Sequence, residues 1–169
     1  MRRASQKVAI VFLLAAAGLT AQERPESWVG KIDDQLAFGQ VALGMTIAQV
    51  ERVVGHKVTL APIEDDTGLC SGVIATELRQ SHRTLLTFAK RPAEFRLVQI
   101  FVPFAHARDF GTMAAALKRQ IPELRTREGS VATHSGDMDK AFWELSRDPA
   151  QTVLISSTEG IWISRGCID

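Results

Sequence analysis

Apolar and polar positions along this chain separate two short helices from a series of strands. The clearest stretch is Leu43-Gly44-Met45-Thr46-Ile47-Ala48-Gln49-Val50-Glu51-Arg52-Val53-Val54-Gly55. Ile47, Val50, Val53 and Val54 form an apolar stripe at helical spacing. Thr46 suits the N-cap, Gln49 can close a capping box, and Met45 and Val50 can pack as a hydrophobic staple. Gly55 stands where a left-handed residue ends a helix. The pattern predicts a helix over Ile47–Val54. A short strand over 36–41 is expected to lead into it. Strands are expected over 56–61, 72–78, 84–88 and 95–102, where β-branched and apolar residues lie between turn signals. A second helix is expected from near His106 to just before Pro122, with Phe110, Met113, Ala114, Leu117 and Ile121 on one face. Lys118 and Arg119 suit its last turn, and Gly111 weakens its first. Four more strands are expected over 130–134, 140–145, 152–157 and 160–164, the last two as a hairpin. Strands this close in sequence must pair antiparallel.

The order is thus one helix followed by four strands, twice. The fold class expected is α+β: antiparallel sheet with one helix packed per half, and a tandem helix-plus-four-strand pseudo-repeat as the finer expectation. The halves fall at about 36–104 and 105–169, within one domain over 36–169. Ahead of it, 22–35 reads as a loose N-terminal arm, polar and Pro-containing, with Trp28 as its anchor.

The first 21 residues follow a different pattern. Arg2, Arg3 and Lys7 precede the apolar run Val8-Ala9-Ile10-Val11-Phe12-Leu13-Leu14-Ala15-Ala16-Ala17, and small and polar residues follow. This is the layout of a secretory signal peptide, with cleavage expected after Ala21. An uncleaved anchor is the alternative, which the length of the run disfavours, since a span needs about 20 apolar residues. Arg2-Arg3 raises the twin-arginine route, but the flanking residues do not complete that motif. The protein is therefore expected to be exported, periplasmic or secreted, with no stable membrane insertion after cleavage.

Export changes the charge and the redox setting. The whole chain is +1 and the leader holds three basic and no acidic residues, so the mature chain is −2. That balance disfavours nucleic acid and anionic lipid as partners. The only two cysteines, Cys70 and Cys167, lie in the mature chain. In an oxidising compartment they are expected to form one disulfide. In the chain-entropy model a crosslink closing so long a loop stabilises the fold by about 4–5 kcal/mol, less any native strain. A redox-active pair is the alternative, but the C-x-x-C arrangement is missing. A metal site on two isolated cysteines is disfavoured further.

The sequence holds few residues that point to chemistry. His56, His82, His106 and His134 show no metal-ligand spacing and read as surface or capping residues. His134, Asp137 and Asp139 could make a small cation or acid–base site, and Glu64-Asp65-Asp66 a carboxylate cluster, but a polar turn and a solvated loop are the plainer readings. Ser71 and Ser81 lack a nucleophile-elbow context, and neither a phosphate loop nor a dinucleotide fingerprint is present. No catalytic residue, metal ligand or cofactor is assigned. Trp143 and Trp162 lie on expected strands and read as core residues, with a binding anchor as the alternative. Trp28 is the better candidate for an exposed anchor. Arg79, Arg83, Lys90, Arg91 and Arg96 gather around one hairpin. They read as a solvated, edge-protecting face or, alternatively, as a surface for an anionic partner.

At Leu43-Gly44-Met45-Thr46-x-x-x-Val50-x-x-x-Val54-Gly55 the chain resembles exported envelope proteins of the SmpA/OmlA type and the β-lactamase-inhibitor-protein (BLIP) fold. Those proteins share the opening turn, a short helix, a Gly and antiparallel strands, and the inhibitor is built from tandem helix-plus-sheet halves. The resemblance implies an α+β fold and protein–protein binding. Unlike the SmpA/OmlA lipoproteins, this leader has no Cys to carry a lipid. The leading expectation is a non-enzymatic interaction module of the cell envelope with an envelope or secreted protein as partner. A small periplasmic hydrolase or a ligand- or metal-binding protein is the alternative, with its site near His134, Asp137 and Asp139 or near Glu64, Asp65 and Asp66.

Purified from a periplasmic extract, the protein is expected to give an intact mass beginning at Gln22. Both cysteines are expected to resist alkylation until reduced. A full-length mass with two free thiols would overturn the export and disulfide readings together.

Overall fold

The computed structural model describes residues 24–62, 73–79, 82–91, 93–126, 133–135, 138–147 and 150–165. The leader, Cys70, Cys167, Glu64, Asp65, Asp66, Ser71, Ser81 and Asp137 lie outside the described residues. The fold is α+β and rich in strand. A 3-10 turn, Pro25–Trp28, leads to β1 (Val29–Ile32), β2 (Gln35–Phe38) and β3 (Val41–Ala42). Helix α1 (Ile47–Val54) follows, then β4 (Ala61–Pro62), β5 (Val73–Arg79), β6 (Arg83–Arg91) and β7 (Glu94–Pro103). Helix α2 (Phe110–Gln120) precedes β8 (Arg125–Thr126), β9 (Thr133–Ser135), β10 (Met138–Arg147), β11 (Ala150–Ser156) and β12 (Gly160–Arg165).

The described strands form two antiparallel sheets. The small one has the order β1-β2-β3. The large one has the order β4-β5-β6-β7-β12-β11-β10-β8, with β9 also paired to β10. Its middle is the β7–β12 ladder, which runs from Gly160 opposite Pro103 to Ser164 opposite Gln99. Gly160 is required there, because its φ is +151° and a Cβ would collide with the Val102 carbonyl and the Phe101 ring.

Helix α1 forms where expected and for the expected reasons. The Thr46 hydroxyl accepts from Gln49 N at 3.2 Å, and Gln49 Oε1 accepts from Thr46 N at 2.8 Å. Gly55 ends the helix at φ +80°. Upstream, Gly44 N donates to Leu97 O and Leu97 N to Met45 O, both at 2.8 Å. The helix entry is therefore seated on β7, beside the stretch paired with β12.

Four expectations are corrected. Residues 24–35 are not a loose arm: Pro25 and Glu26 are buried, Val29 is 2% exposed, and β1 pairs with β2. Asp33 and Asp34 both have positive φ, 48° and 61°, the geometry of a tight hairpin turn that Asp tolerates better than most residues. The strand expected over 36–41 is broken at Gly39 into β2 and β3. Helix α2 begins at Phe110 rather than near His106, because Asp109 caps it by accepting from Thr112 N at 2.7 Å. The strand expected over 56–61 shrinks to Ala61–Pro62, since Val58 N donates to the Glu51 carboxylate at 3.2 Å instead of to a neighbouring strand.

One face of the large sheet carries the core. Leu86, Phe88, Leu97, Ile100, Val102, Val153, Ile155, Ile161 and Ile163 pack there with Val50 of α1, Met113 and Leu117 of α2, and Leu36 and Phe38 of the small sheet. Gln151, 3% exposed, fastens the two sheets together. Its Oε1 accepts from Leu36 N at 2.7 Å and its Nε2 donates to Asp34 O at 3.2 Å. Replacing it with an apolar side chain of similar size leaves a buried N–H unpaired, at a cost of about 1–3 kcal/mol. Gln151→Leu is therefore expected to lower unfolding stability by about 2 kcal/mol in urea titration. A loss below about 0.5 kcal/mol, the range of neutral surface changes, would mean that the amide does not hold the sheets together.

Candidate functional site

Strand alternation that sends Ile161 and Ile163 to the core sends Trp162 to the opposite face. The same alternation places Ile100 and Val102 inside and Phe101 outside. Phe101 and Trp162 are direct partners across β7 and β12. Their rings stack with centroids 4.4 Å apart and planes inclined by 20°. Leu85 of β6 is the partner of Phe101, and Leu154 of β11 the partner of Trp162. These four apolar residues therefore form one row across four adjacent strands. Each is half-buried by its neighbours. None belongs to the core cluster or to the residues packed against it. The core reading of Trp162 is thus corrected; Trp143 lies on β10, opposite Val153.

A polar row runs alongside. Thr87, Gln99, Ser164 and Thr152 are successive cross-strand partners on β6, β7, β12 and β11. The Thr152 and Ser164 hydroxyls are 2.8 Å apart and hydrogen-bonded. Thr152 is buried, so the face offers an aromatic centre beside the half-buried Thr87, Gln99 and Ser164, a composition suited to contact with another surface. Among the described residues it carries no set of nucleophile, base and oxyanion donors.

The apolar row continues at β5 into charge, because Glu77 is the partner of Leu85. Glu77 Oε1 accepts from Arg79 Nε at 2.7 Å, and Oε2 accepts from Arg83 Nη2 at 2.9 Å. The Arg83 and Arg79 hydrogen bonds hold the Glu77 carboxyl below the usual glutamate range. Two guanidiniums around one carboxylate leave this corner positive.

The expected cationic patch is in fact two groups. Arg79 and Arg83 face each other at one end of β5 and β6, while Arg91 pairs with Glu94 at the far end of β6. Lys90 is exposed at that far end, and Arg96 donates to Gly44 O at 3.0 Å and pairs with Glu94. Trp28 is not a free anchor. It stacks on Phe38 at 5.9 Å and meets His82 edge-on at 5.6 Å. With Val41, Leu78 and Thr84 these rings line a hollow of about 20 Å³, room for about one water. Trp28 therefore serves the joint between the small sheet and the edge of the large one.

The alternative sites gain little. His134 and Asp139 are partners in the β9–β10 ladder, while Asp137 and the Glu64–Asp66 cluster lie outside the described residues. His56 and His106 are exposed. Among the described residues, no group of three His, Cys, Asp or Glu could hold a metal ion, and no helix is long and apolar enough to cross a membrane.

Sequence reasoning missed the Phe101–Trp162 pair. The Ile-Trp-Ile and Ile-Phe-Val alternations at 161–163 and 100–102 were the signal that could have found it.

The Glu77 cluster makes a titration test. A carboxyl whose folded value is lowered contributes stability above the unfolded glutamate value and loses it as pH falls through the folded one. Glu77 is expected to titrate below the ordinary glutamate range by NMR, and Arg83→Gln to move it back upward. An unchanged titration in that variant would show that the hydrogen bonds do not set it. No family model matches the chain, and no curated protein or solved structure matches it at a significant level.

Proposed function

We propose that this protein is an exported, non-enzymatic interaction module of the cell envelope that binds a protein partner through the open face of its large sheet. The observation that carries this reading is the Leu85–Phe101–Trp162–Leu154 row, four apolar side chains in register that take no part in the core. Contiguous apolar surface of this kind marks interaction sites. Trp is also enriched among the residues that dominate binding energy. The polar row beside it supplies hydrogen-bonding groups, and the Arg79–Glu77–Arg83 corner supplies a positive rim.

The finer architecture is proposed with it. One half reads α1-β4-β5-β6-β7 and the other α2-β8-β9-β10-β11-β12, where β9 is an extra strand paired with β10 off the main order, and the two strand series meet at β7 and β12. This order supports a tandem pseudo-repeat about an approximate two-fold axis between those strands. It agrees with the resemblance to the SmpA/OmlA and β-lactamase-inhibitor-protein folds drawn from the Leu43–Gly55 motif. On this reading the Phe101–Trp162 stack sits at the junction of the halves, where a partner would touch both.

The test compares wild type with Trp162→Ser and Phe101→Ser as immobilised baits in envelope extract. Wild type is expected to retain a stoichiometric partner. Each variant is expected to weaken that binding by about 30-fold, the size of an interface hot spot of about 2 kcal/mol, while keeping a cooperative thermal transition. Equal retention by wild type and folded variants, or no enrichment by wild type, would sink the proposal.

A further inference from the structure

Arg165 ends β12 at the rim of the large sheet, beside the entry to α1. Its Nη1 stands 3.0 Å from the position a Cβ on Gly44 would occupy. Arg96 reaches the same residue from β7 and donates to the Gly44 carbonyl at 3.0 Å. Two guanidiniums therefore meet at Gly44. The site needs glycine twice over: its φ is +82°, and a side chain would press on Arg165.

Arg165 is half-buried, and its Nε is buried without a hydrogen-bond partner among the described residues. Gln35 Oε1 is buried beside the same glycine, 3.9 Å from its Cβ position, and is also without a partner there. Burial first, then the like charges of Arg91 and Arg96, push the Arg165 guanidinium below its ordinary range. The nearby carboxylate of Glu94 pairs with Arg96. Among the described residues, none forms an ion pair with Arg165. A cation partly removed from water and set against like charges calls for a counter-charge. Guanidinium forks match the spacing of two oxygens on one carbon or phosphorus.

We propose that the rim formed by Arg96 and Arg165 around Gly44 is a binding site for a small oxyanion, a carboxylate or a phosphate. It is independent of the open-face reading and lies at the opposite end of β6 from Arg79 and Arg83. A small ion fits better than a polyanion, because the chain is close to neutral overall, at +1, and the cations are confined to one rim.

The experiment titrates the full protein with inorganic phosphate and, separately, with acetate. Calorimetry and thermal unfolding are followed at fixed ionic strength, with chloride as control. Saturable binding is expected for at least one probe, and which one binds tells phosphate from carboxylate recognition. At about 100 times Kd the unfolding midpoint should rise by about 5–10 °C. Arg165→Gln is expected to abolish the heat of binding and the midpoint rise. Arg165→Lys, which keeps the charge and loses the two-pronged fork, keeps the test open if the first variant does not fold; it should weaken binding about tenfold or more. An equal effect of chloride, unaltered binding in a folded variant, or no saturable binding to wild type would overturn the site. The last result would mean that carboxylates of the chain itself already neutralise the rim.

Discussion

The structure depends on how a small three-stranded sheet is held against a large one without leaving backbone groups stranded. β2 presents Leu36 N–H to the interior, where water cannot satisfy it. Gln151, projecting from β11, accepts that hydrogen bond and returns one to the Asp34 carbonyl. A primary amide suits this place because it offers an acceptor and a donor on one short, neutral group. A carboxylate would supply no donor and would bring a charge into the interior. With Gln151 in place, Leu36 and Phe38 can enter the core beside Val153, Ile155, Ile161 and Ile163. The N-terminal segment thereby becomes part of the domain rather than an appendage to it.

A second constraint falls on β7, which has two partners along one edge. β12 takes 99–103, and the segment Gly44–Thr46 takes the positions around Leu97. The β6–β7 register shifts between Thr87 and Phe88, and Leu97 and Val98 are both buried in succession. Such a bulge bends the strand where its neighbour changes. The Leu-Gly-Met-Thr turn is therefore more than the start of a helix. Leu43 N donates to Leu36 O at 2.9 Å, Gly44 and Met45 make the short ladder to Leu97, and Thr46 caps α1. One tetrapeptide thus joins small sheet, large sheet and helix.

What the sequence reveals, and what it hides, follows from the range of the interactions involved. Helix α1 was legible to the residue because Thr46, Gln49 and Gly55 act within a few positions of one another. The last hairpin was legible for the same reason. The start of α2 is set by Asp109, whose carboxylate caps Thr112 N, whereas the apolar stripe alone does not mark where the helix begins. The hairpin at Asp33-Asp34 was hidden because its turn uses left-handed aspartates in place of Asn-Gly, and because a polar segment preceding the core resembles a loose arm. The candidate site was least legible. Arg79, Arg83, Arg91 and Arg96 were visible as a run of charge, but only the register of β5, β6 and β7 divides them between two ends. Trp162 was visible as an aromatic on a strand, but which face of that strand meets the helices is a tertiary fact. Arg165 acquires significance only through Gly44, more than a hundred residues earlier.

The arrangement separates what holds the fold from what faces outward. The core face carries the continuous aliphatic cluster and Gln151. The opposite face carries a stacked aromatic pair whose partners are β-strand neighbours. Removing Trp162 from that face opens no internal cavity of the kind that makes large-to-small core changes costly. The main loss is its stacking on Phe101, about 0.5–1.5 kcal/mol beyond area burial for such pairs. Side chains on the open face can therefore change with little consequence for folding, whereas those on the core face cannot. Among the described residues the helices and the small sheet pack on one side of the large sheet only, and this is what separates the two roles. The stacked pair also ties β7 to β12 from outside while the aliphatic cluster ties them from inside. The β7–β12 seam is thus supported on both faces, which orders the Phe101–Trp162 surface without help from any other molecule.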